Sequence, residues 1–144
     1  MKLLPVINRL KSQVSTLQVV GTASDMLSDI RQSVVLTPAA YVVPLIQTAS
    51  ENQLMTGVSQ DMTFRFGIMT VAASNNSGTT GAPASDELDT TRWDIKQAIV
   101  GWRPPADGSR NFSKIVYAGG ELDATTDKLI VFLDEYETNF CLRK

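Results

Sequence analysis

Apolar residues recur at helical spacing in three stretches of the chain. The first stretch predicts an amphipathic helix over residues 2–13, with one apolar side formed by Leu3, Leu4, Ile7, Leu10 and Val14. The second begins at a weak capping box, Thr22-Ala23-Ser24-Asp25, and predicts a helix to about Ser33. The third helix is expected to start after Ser85 and to end at Gly101, and its stripe comprises Leu88, Arg92, Ile95, Ile99 and Trp102.

Alternation of apolar and polar residues predicts the strands. The clearest strand covers residues 60–73, where one face carries Met62, Phe64, Phe66, Ile68 and Thr70. At about 3.3 Å per residue it would span roughly 46 Å, which predicts either a hairpin arm beyond the body or a bulge near Gly67. Other strands are predicted at 17–20, 40–46, 113–118 and 128–140, with a turn at Gly119-Gly120 and an edge position at Pro44.

The order of these elements predicts an α+β fold with a mainly antiparallel or mixed sheet. About three helices are expected to pack on one face of the sheet, which leaves the other face open to a partner. The length favours a single domain, residues 1–144. Residues 74–85 are rich in Asn, Ser, Gly and Thr and are expected to form a flexible loop within that domain.

Composition removes whole classes of function. The chain has no histidine, so Ser-His and Cys-His pairs and histidine metal ligands are excluded, and the lone Cys141 excludes a disulfide within one chain. The net charge of −2 lacks the basic excess of a duplex-DNA binder. The N-terminal apolar run is interrupted at Asn8 and Arg9, so we expect no signal peptide and a soluble protein made in a cytoplasm.

The remaining chemical candidates have simpler structural explanations. Asp86, Glu87 and Asp89 form an acidic cluster that suits the positive end of a helix dipole better than a metal site. Gly119-Gly120 lacks the Lys-Ser/Thr of a phosphate loop, and a tight turn explains it better. Cys141, close to the C-terminus, suits a small core thiol or an exposed tail better than a nucleophile.

Aromatic and basic residues adjoin at two places, Phe64-Arg65-Phe66 and Trp102-Arg103, and Arg103 with Arg110 and Lys114 could form a modest basic patch. A core strand and a solvated rim explain these features better than a nucleic-acid surface. We therefore assign no catalytic, cofactor-binding or metal-binding residue, expect no cofactor, and expect no enzymatic activity.

The order of short motifs is similar to that of one known family. Pro38-Ala39-Ala40-Tyr41-Val42-Val43-Pro44-Leu45 precedes the long strand from Gln60. The helix over 88–100 then leads into Gly101-Trp102-Arg103-Pro104, followed by Tyr117-Ala118-Gly119-Gly120-Glu121-Leu122 and a closing strand. Together these segments resemble the tail terminator proteins of long-tailed bacteriophages over nearly the whole chain. The closing strand departs from the pattern, since Asp134-Glu135 makes it more acidic than expected.

The resemblance implies a structural role in the virion. Such proteins form a ring, usually a homohexamer, on the head-proximal end of the completed tail tube. The ring stops polymerisation of the tube protein and presents a joining surface to the head-side connector or stopper protein. Genome DNA passes through its opening without specific binding, and no reaction, cofactor or membrane is involved. The implied location is the neck of the virion, after assembly in the host cytoplasm.

A mildly acidic chain suits a DNA conduit, because basic contacts would bind phosphates strongly. We expect some of five carboxylates to face the opening, namely Asp86, Glu87, Glu121, Asp123 and Asp127.

Four other interpretations remain open at this point. The chain could be another neck ring such as a head-side stopper, or a metal-dependent enzyme using Asp86 and Asp89. It could also be a single-strand nucleic-acid binder using Arg65 and Arg103, or an adaptor that forms no ring.

Overall fold

The computed structural model describes residues 1–31, 36–73, 82–126 and 128–144, apart from the side chains of residues 82–84. Helices and strands follow one another along these residues in the order α1 (Leu4–Gln13), β1 (Val19–Thr22), α2 (Ala23–Arg31), β2 (Ala39–Ala49), β3 (Ser59–Ala73), α3 (Ala82–Ile99), β4 (Val116–Thr125) and β5 (Leu129–Arg143). None of the helices in this part of the chain has the length and apolarity needed to cross a bilayer.

The five strands form one open sheet in the order β1-β2-β3-β5-β4. β1 pairs with β2 in parallel, and the other three pairs are antiparallel. The α+β class, the three helices and the mixed sheet are confirmed. β1 lies two residues later than the predicted strand at 17–20.

The main core lies between one face of the sheet and the helices α1 and α3. Its buried side chains include Val6, Ile7, Leu10, Ala40, Val42, Phe66, Ile68, Ile95, Ile99 and Tyr136. The rings of Phe66 and Tyr136 stack with their centroids 5.7 Å apart. The apolar stripe predicted for the third helix is thus confirmed at Leu88, Ile95 and Ile99, which are all buried.

α2 packs against the opposite face of the sheet. Its Met26 contacts a second apolar cluster that contains Tyr41 and Val71, and the Tyr41 hydroxyl donates to Asp29 at 2.7 Å. Side chains alternate between faces along a strand, so Tyr41 points away from its neighbours in the main core. The position of α2 therefore differs from the expected arrangement of three helices on one face. α2 covers the second face of β2, whose residues 39–42 are all buried.

The long strand is part of the sheet along its whole length. All 15 residues of β3 pair with β5, and β2 pairs with β3 from Ala39 to Ala49 on the other side. The expected hairpin arm is therefore the outer end of a three-stranded sheet, with only the loop over residues 50–58 beyond it. β2 continues three residues beyond the predicted strand at 40–46, to Ala49.

Gly67 does not form the expected bulge in β3. The pairing of β3 with β5 continues through it, and the irregularity lies in β2, between Pro44 and Ile46. A Cβ atom on Gly67 would lie 2.6 Å from Leu133 Cδ1 and 3.1 Å from Val43 Cγ2. Side chains from both neighbouring strands thus occupy the space above this glycine.

Gly119 and Gly120 lie inside β4, so the predicted turn between strands at this place is wrong. A register shift lies between Tyr117 and Gly119, where Gly119 has a φ of 134°. A Cβ atom on Gly120 would collide with the carboxylate of Asp134. Gly119 thus allows a local irregularity in β4, and Gly120 allows the close approach of Asp134. From the sequence alone, two consecutive glycines indicate a turn.

The helix ends follow the predicted signals in part. Thr22 and Asp25 form the capping box of α2, with Asp25 Oδ2 accepting from the Thr22 amide at 2.8 Å. Gly101, with a φ of 83°, follows the end of α3 as expected. α3 begins at Ala82 rather than after Ser85, so it includes the end of the predicted loop at 74–85. Residues 74–81 of that loop, like residues 32–35, lie outside the described residues.

Candidate assembly surfaces

One edge of the sheet is open at β2. β1 pairs with β2 only as far as Val42, so residues 43–49, here called the β2 edge segment, have no described strand on their outer side. The segment carries no charged residue. Leu45 and Ile46 are exposed, and Pro44 lacks an amide hydrogen. Pro44 thus stands on a free edge, as predicted.

The other edge of the sheet is β4. Almost every residue of this strand is exposed, including the apolar side chains Val116, Tyr117 and Leu122. Glu121 and Asp123 also lie on β4 and are exposed. The sheet therefore ends in two chemically different edges, one neutral and one acidic.

The loop over residues 50–58, here called the tip loop, is held by several hydrogen bonds, of which Asn52 makes most, while Ser50 accepts from the Gln60 side chain and the Asp61 amide. The Asn52 amide donates to the carbonyls of Leu54 and Gly57, and its oxygen accepts from the amide of Ser59 at 2.8 Å. The backbone of Val58 also exchanges two hydrogen bonds with Lys144. Leu54 and Met55 nevertheless remain exposed at the end of the sheet.

Phe64-Arg65-Phe66 divides between the two faces of β3. Phe64 and Phe66 are buried in the main core, whereas Arg65 points to the opposite face and pairs with Glu135 at 3.5 Å and Glu137 at 3.1 Å. The two phenylalanines are thus unavailable to stack on bases. The arginine charge is compensated by the acidic residues of β5.

A buried ionic cluster, which the sequence did not indicate, lies on the helix side of β5. Asp134 is 1% exposed and accepts two hydrogen bonds from Arg92, at 2.8 and 2.9 Å. It also accepts from the Tyr117 hydroxyl at 2.7 Å, and Lys96 lies 3.8 Å away. Since Arg92 and Lys96 belong to α3 and Tyr117 to β4, one carboxylate joins three elements.

The electrostatics of this cluster keep Asp134 ionised. Burial raises the pKa of Asp134, but the hydrogen bonds from Arg92 and Tyr117 and the charges of Arg92 and Lys96 outweigh it. The net result is a pKa below the ordinary value. Burial and the bond to Asp134 raise the pKa of Tyr117, so its hydroxyl remains a donor at neutral pH.

The acidic candidates lie apart from this cluster. Asp86, Glu87 and Asp89 occupy exposed positions near the start of α3. Among the described residues no group of three acidic or cysteine side chains is arranged to hold a metal ion. Asp127 lies outside the described residues.

The basic and thiol candidates lie in different surroundings, and Arg103 and Lys114 are exposed. Arg9, on α1, lies over the ring of Trp102, 5.4 Å from its centroid, and Arg110 pairs with Asp107. Cys141 is a free, half-buried thiol with its sulfur 3.9 Å from the Ser59 hydroxyl. The basic patch expected at Arg103, Arg110 and Lys114 is thus partly neutralised at Arg110.

A family model described as phage tail terminator protein matches residues 1–144. This chain belongs to the phage tail terminator family. The resemblance predicted from the order of motifs is therefore confirmed, and the chain is a structural protein of the phage virion. A structural family implies a structural rather than an enzymatic role.

The fold is also similar to that of a chain in a solved structure. A chain from the structure titled "Virion of native gene transfer agent (GTA) particle" aligns with a TM-score of 0.52 at 12% sequence identity. The alignment covers 95% of this tail terminator and 92% of that chain. No curated protein sequence matches significantly.

Proposed function

We propose that this tail terminator closes with copies of itself into a ring, a homohexamer, that caps the head-proximal end of the tail tube. The family match over the whole chain carries this proposal. A ring seated on the last layer of the tube leaves no site for further tube protein, so polymerisation ends. Its other rim then offers the joining surface for the head-side connector or stopper.

The two different edges of the sheet support ring closure. A head-to-tail ring needs two unlike patches on each subunit, whereas a twofold dimer needs one self-complementary patch. Two patches of about 800 Å² each would cover about a fifth of the 8437 Å² surface of one chain. Most of the surface would remain for the tube and the connector.

Passage of genome DNA through the ring is part of the proposal. Of the carboxylates expected at the opening, Asp86 and Glu87 are exposed on α3, and Glu121 and Asp123 are exposed on β4. An acidic wall would not retain phosphates, whereas lysines and arginines would bind them. A ring whose opening is lined by Lys and Arg would overturn this part.

The proposed site of action is the neck of the virion, and assembly takes place in the cytoplasm of the host. Since the role consists of contacts between proteins, we propose that it needs no cofactor, no catalysis and no membrane.

The test is electron microscopy of particles from a phage that lacks this gene. We expect tails of uncontrolled length and unattached heads, with normal tails restored by the wild-type gene. Phe66→Asp is the matched control, because it places a charge at a fully buried core position and should not restore tails. Tails of normal length without the gene would contradict the proposal. Binding of the purified protein to head-side rings but not to tubes would indicate a stopper.

A further inference from the structure

We infer that the ring forms by strand pairing, with the β2 edge segment of one copy beside β4 of the next copy, so that the sheet continues from subunit to subunit. This inference rests on the proposed ring and names the contact that closes it.

The β2 edge segment has the properties of a pairing site. An edge strand presents unpaired amide and carbonyl groups, and natural proteins usually protect such edges with charges, proline, bulges or cover. Pro44 and the irregularity beside it lie at the end of the segment nearer β1, so residues 46–49 are the part without such protection. Residues 43–49 contain no charge, and more than half of the Ile46 side chain is exposed. The irregularity between Pro44 and Ile46 leaves the stretch after it regularly paired with β3. An added strand would satisfy the outer backbone groups and cover Leu45 and Ile46.

A second copy supplies a suitable strand. β4 has no described strand along its outer side and exposes Val116 and Leu122, which are apolar like Ile46. The pairings along the sheet place β2 and β4 in opposite directions. A neighbour rotated about an axis along the strands therefore brings its β4 antiparallel to β2, as in the neighbouring pair β2–β3.

Charge disfavours the pairing of β4 with itself. Two copies of β4 would bring Glu121 and Asp123 of one chain towards the same residues of the other, and like charges across strands are destabilising. The neutral β2 edge segment imposes no such repulsion. Two different edges joined in this way give a head-to-tail contact, which closes into a ring or continues as a filament.

The contact requires a displacement along the strands. Val116 is level with Ile46, since Val116 pairs with Glu137, Glu137 with Arg65, and Arg65 with Ile46. Tyr117 and Gly119 lie level with Pro44 and Val43, whereas residues 120–124 lie level with the part of β2 that β1 already covers. The incoming β4 must therefore shift towards the tip loop, and strands tilted in a closed assembly produce a shift of this kind.

The first test compares two equal substitutions at similarly exposed residues. Ile46→Lys, 55% exposed, places a charge on the proposed contact, and Leu54→Lys, 49% exposed, places it on the tip loop. Light scattering after size exclusion should show at least a tenfold loss of assembled protein for Ile46→Lys only. Circular dichroism should show both variants folded. Equal assembly of wild type and Ile46→Lys would overturn the inference and leave the proposed ring intact.

The second test identifies the partner strand by disulfide trapping in a Cys141→Ser background. Chains carrying Gln47→Cys are mixed with chains carrying Leu122→Cys, and Glu87→Cys on α3 replaces the second partner as the control. We expect disulfide-linked dimers from the first mixture alone. Dimers formed by Gln47→Cys with itself would show twofold β2–β2 pairing and overturn the inference. A wild-type chain that remains monomeric even with tail tubes would overturn both the inference and the proposed function.

Discussion

Asp134 connects β5, α3 and β4 through one carboxylate. Arg92 reaches it across the ring of Phe132, with the guanidinium carbon 3.5 Å from the ring centroid. Lys96 lies over the ring of Tyr117 in the same way, 4.6 Å from its centroid. Each cation is therefore compensated by the carboxylate and packed on an aromatic face. The cluster replaces apolar packing at the side of the sheet nearest β4.

Substitution Asp134→Asn should destabilise the fold by about 3 kcal/mol, because Arg92 would lose its counter-charge while its side chain stays mostly buried. Chemical denaturation at neutral pH measures this change. The neighbouring substitution Glu135→Gln is the control, since it removes a half-exposed pair with Arg65 and should cost at most about 1 kcal/mol. Equal losses from both variants would contradict the special role of Asp134.

The ion pair of Asp134 with Arg92 predicts that stability depends on pH. Because the folded pKa of Asp134 lies below the unfolded value of about 3.9, its contribution is complete above that value and is lost as pH falls through the folded pKa. Wild type should therefore lose more stability than Asp134→Asn between about pH 5 and the acid limit of folding. Parallel curves for the two proteins would contradict the lowered pKa.

Two buried tyrosines differ in their hydroxyl partners. Tyr41 donates to Asp29, whereas the Tyr136 hydroxyl has no hydrogen-bond partner in the described parts of the chain. Tyr41→Phe should therefore cost about 0.5–1.5 kcal/mol, and Tyr136→Phe should be neutral or stabilising. Thermal unfolding of the pair measures the difference, and a larger loss for Tyr136→Phe would refute this interpretation.

The partner of Asp134 could not be predicted from the sequence. The alternation of Ile130, Phe132 and Tyr136 does show which face Asp134 shares. Its main partner, however, is Arg92, 42 residues away on a helix. No local pattern links the two residues, so the acidic position stood out only as a departure from the expected strand.

At the scale of elements, periodicity predicts which side of a helix or strand is buried, because local spacing determines it. The third predicted helix, α3, has Leu88, Ile95 and Ile99 on one buried side, and the long strand β3 has the predicted faces. Two glycine predictions are wrong because the roles of these residues depend on distant side chains: Gly67 and Gly120 make room for β5 residues rather than forming a bulge or a turn.

The two glycines should respond differently to alanine. At Gly120 the new Cβ would meet Asp134 and the Tyr117 hydroxyl, which hold each other in place, so we expect a loss of about 1–3 kcal/mol. At Gly67 the closest atom is the end of the flexible Leu133 side chain, so the loss should be smaller. Urea denaturation of both variants checks the order, and a reversed order would contradict it.

For the whole molecule, the extent of the two sheet edges is the property that no sequence pattern revealed. Pro44 indicated an edge, but the strand order that exposes residues 43–49 and β4 depends on pairings between distant parts of the chain. The surfaces for assembly therefore follow from topology, whereas the family resemblance followed from the order of short motifs.

Association through these edges should appear as concentration-dependent stability. If only folded chains assemble, a tenfold rise in concentration adds about 1 kcal/mol per subunit. This corresponds to a rise of about 2–4 °C in Tm for a chain near this length. Calorimetry should show the rise for wild type and not for Ile46→Lys. A wild-type Tm that is independent of concentration in the assembled range would contradict coupling of assembly to folding.

The close approach of Gly120 to Asp134 has a consequence for the variation of this family over evolution. The two positions should covary: a homologue with a larger residue in place of Gly120 should carry a smaller one in place of Asp134. The counterpart of Arg92 should then have lost its positive charge, since no carboxylate would compensate it.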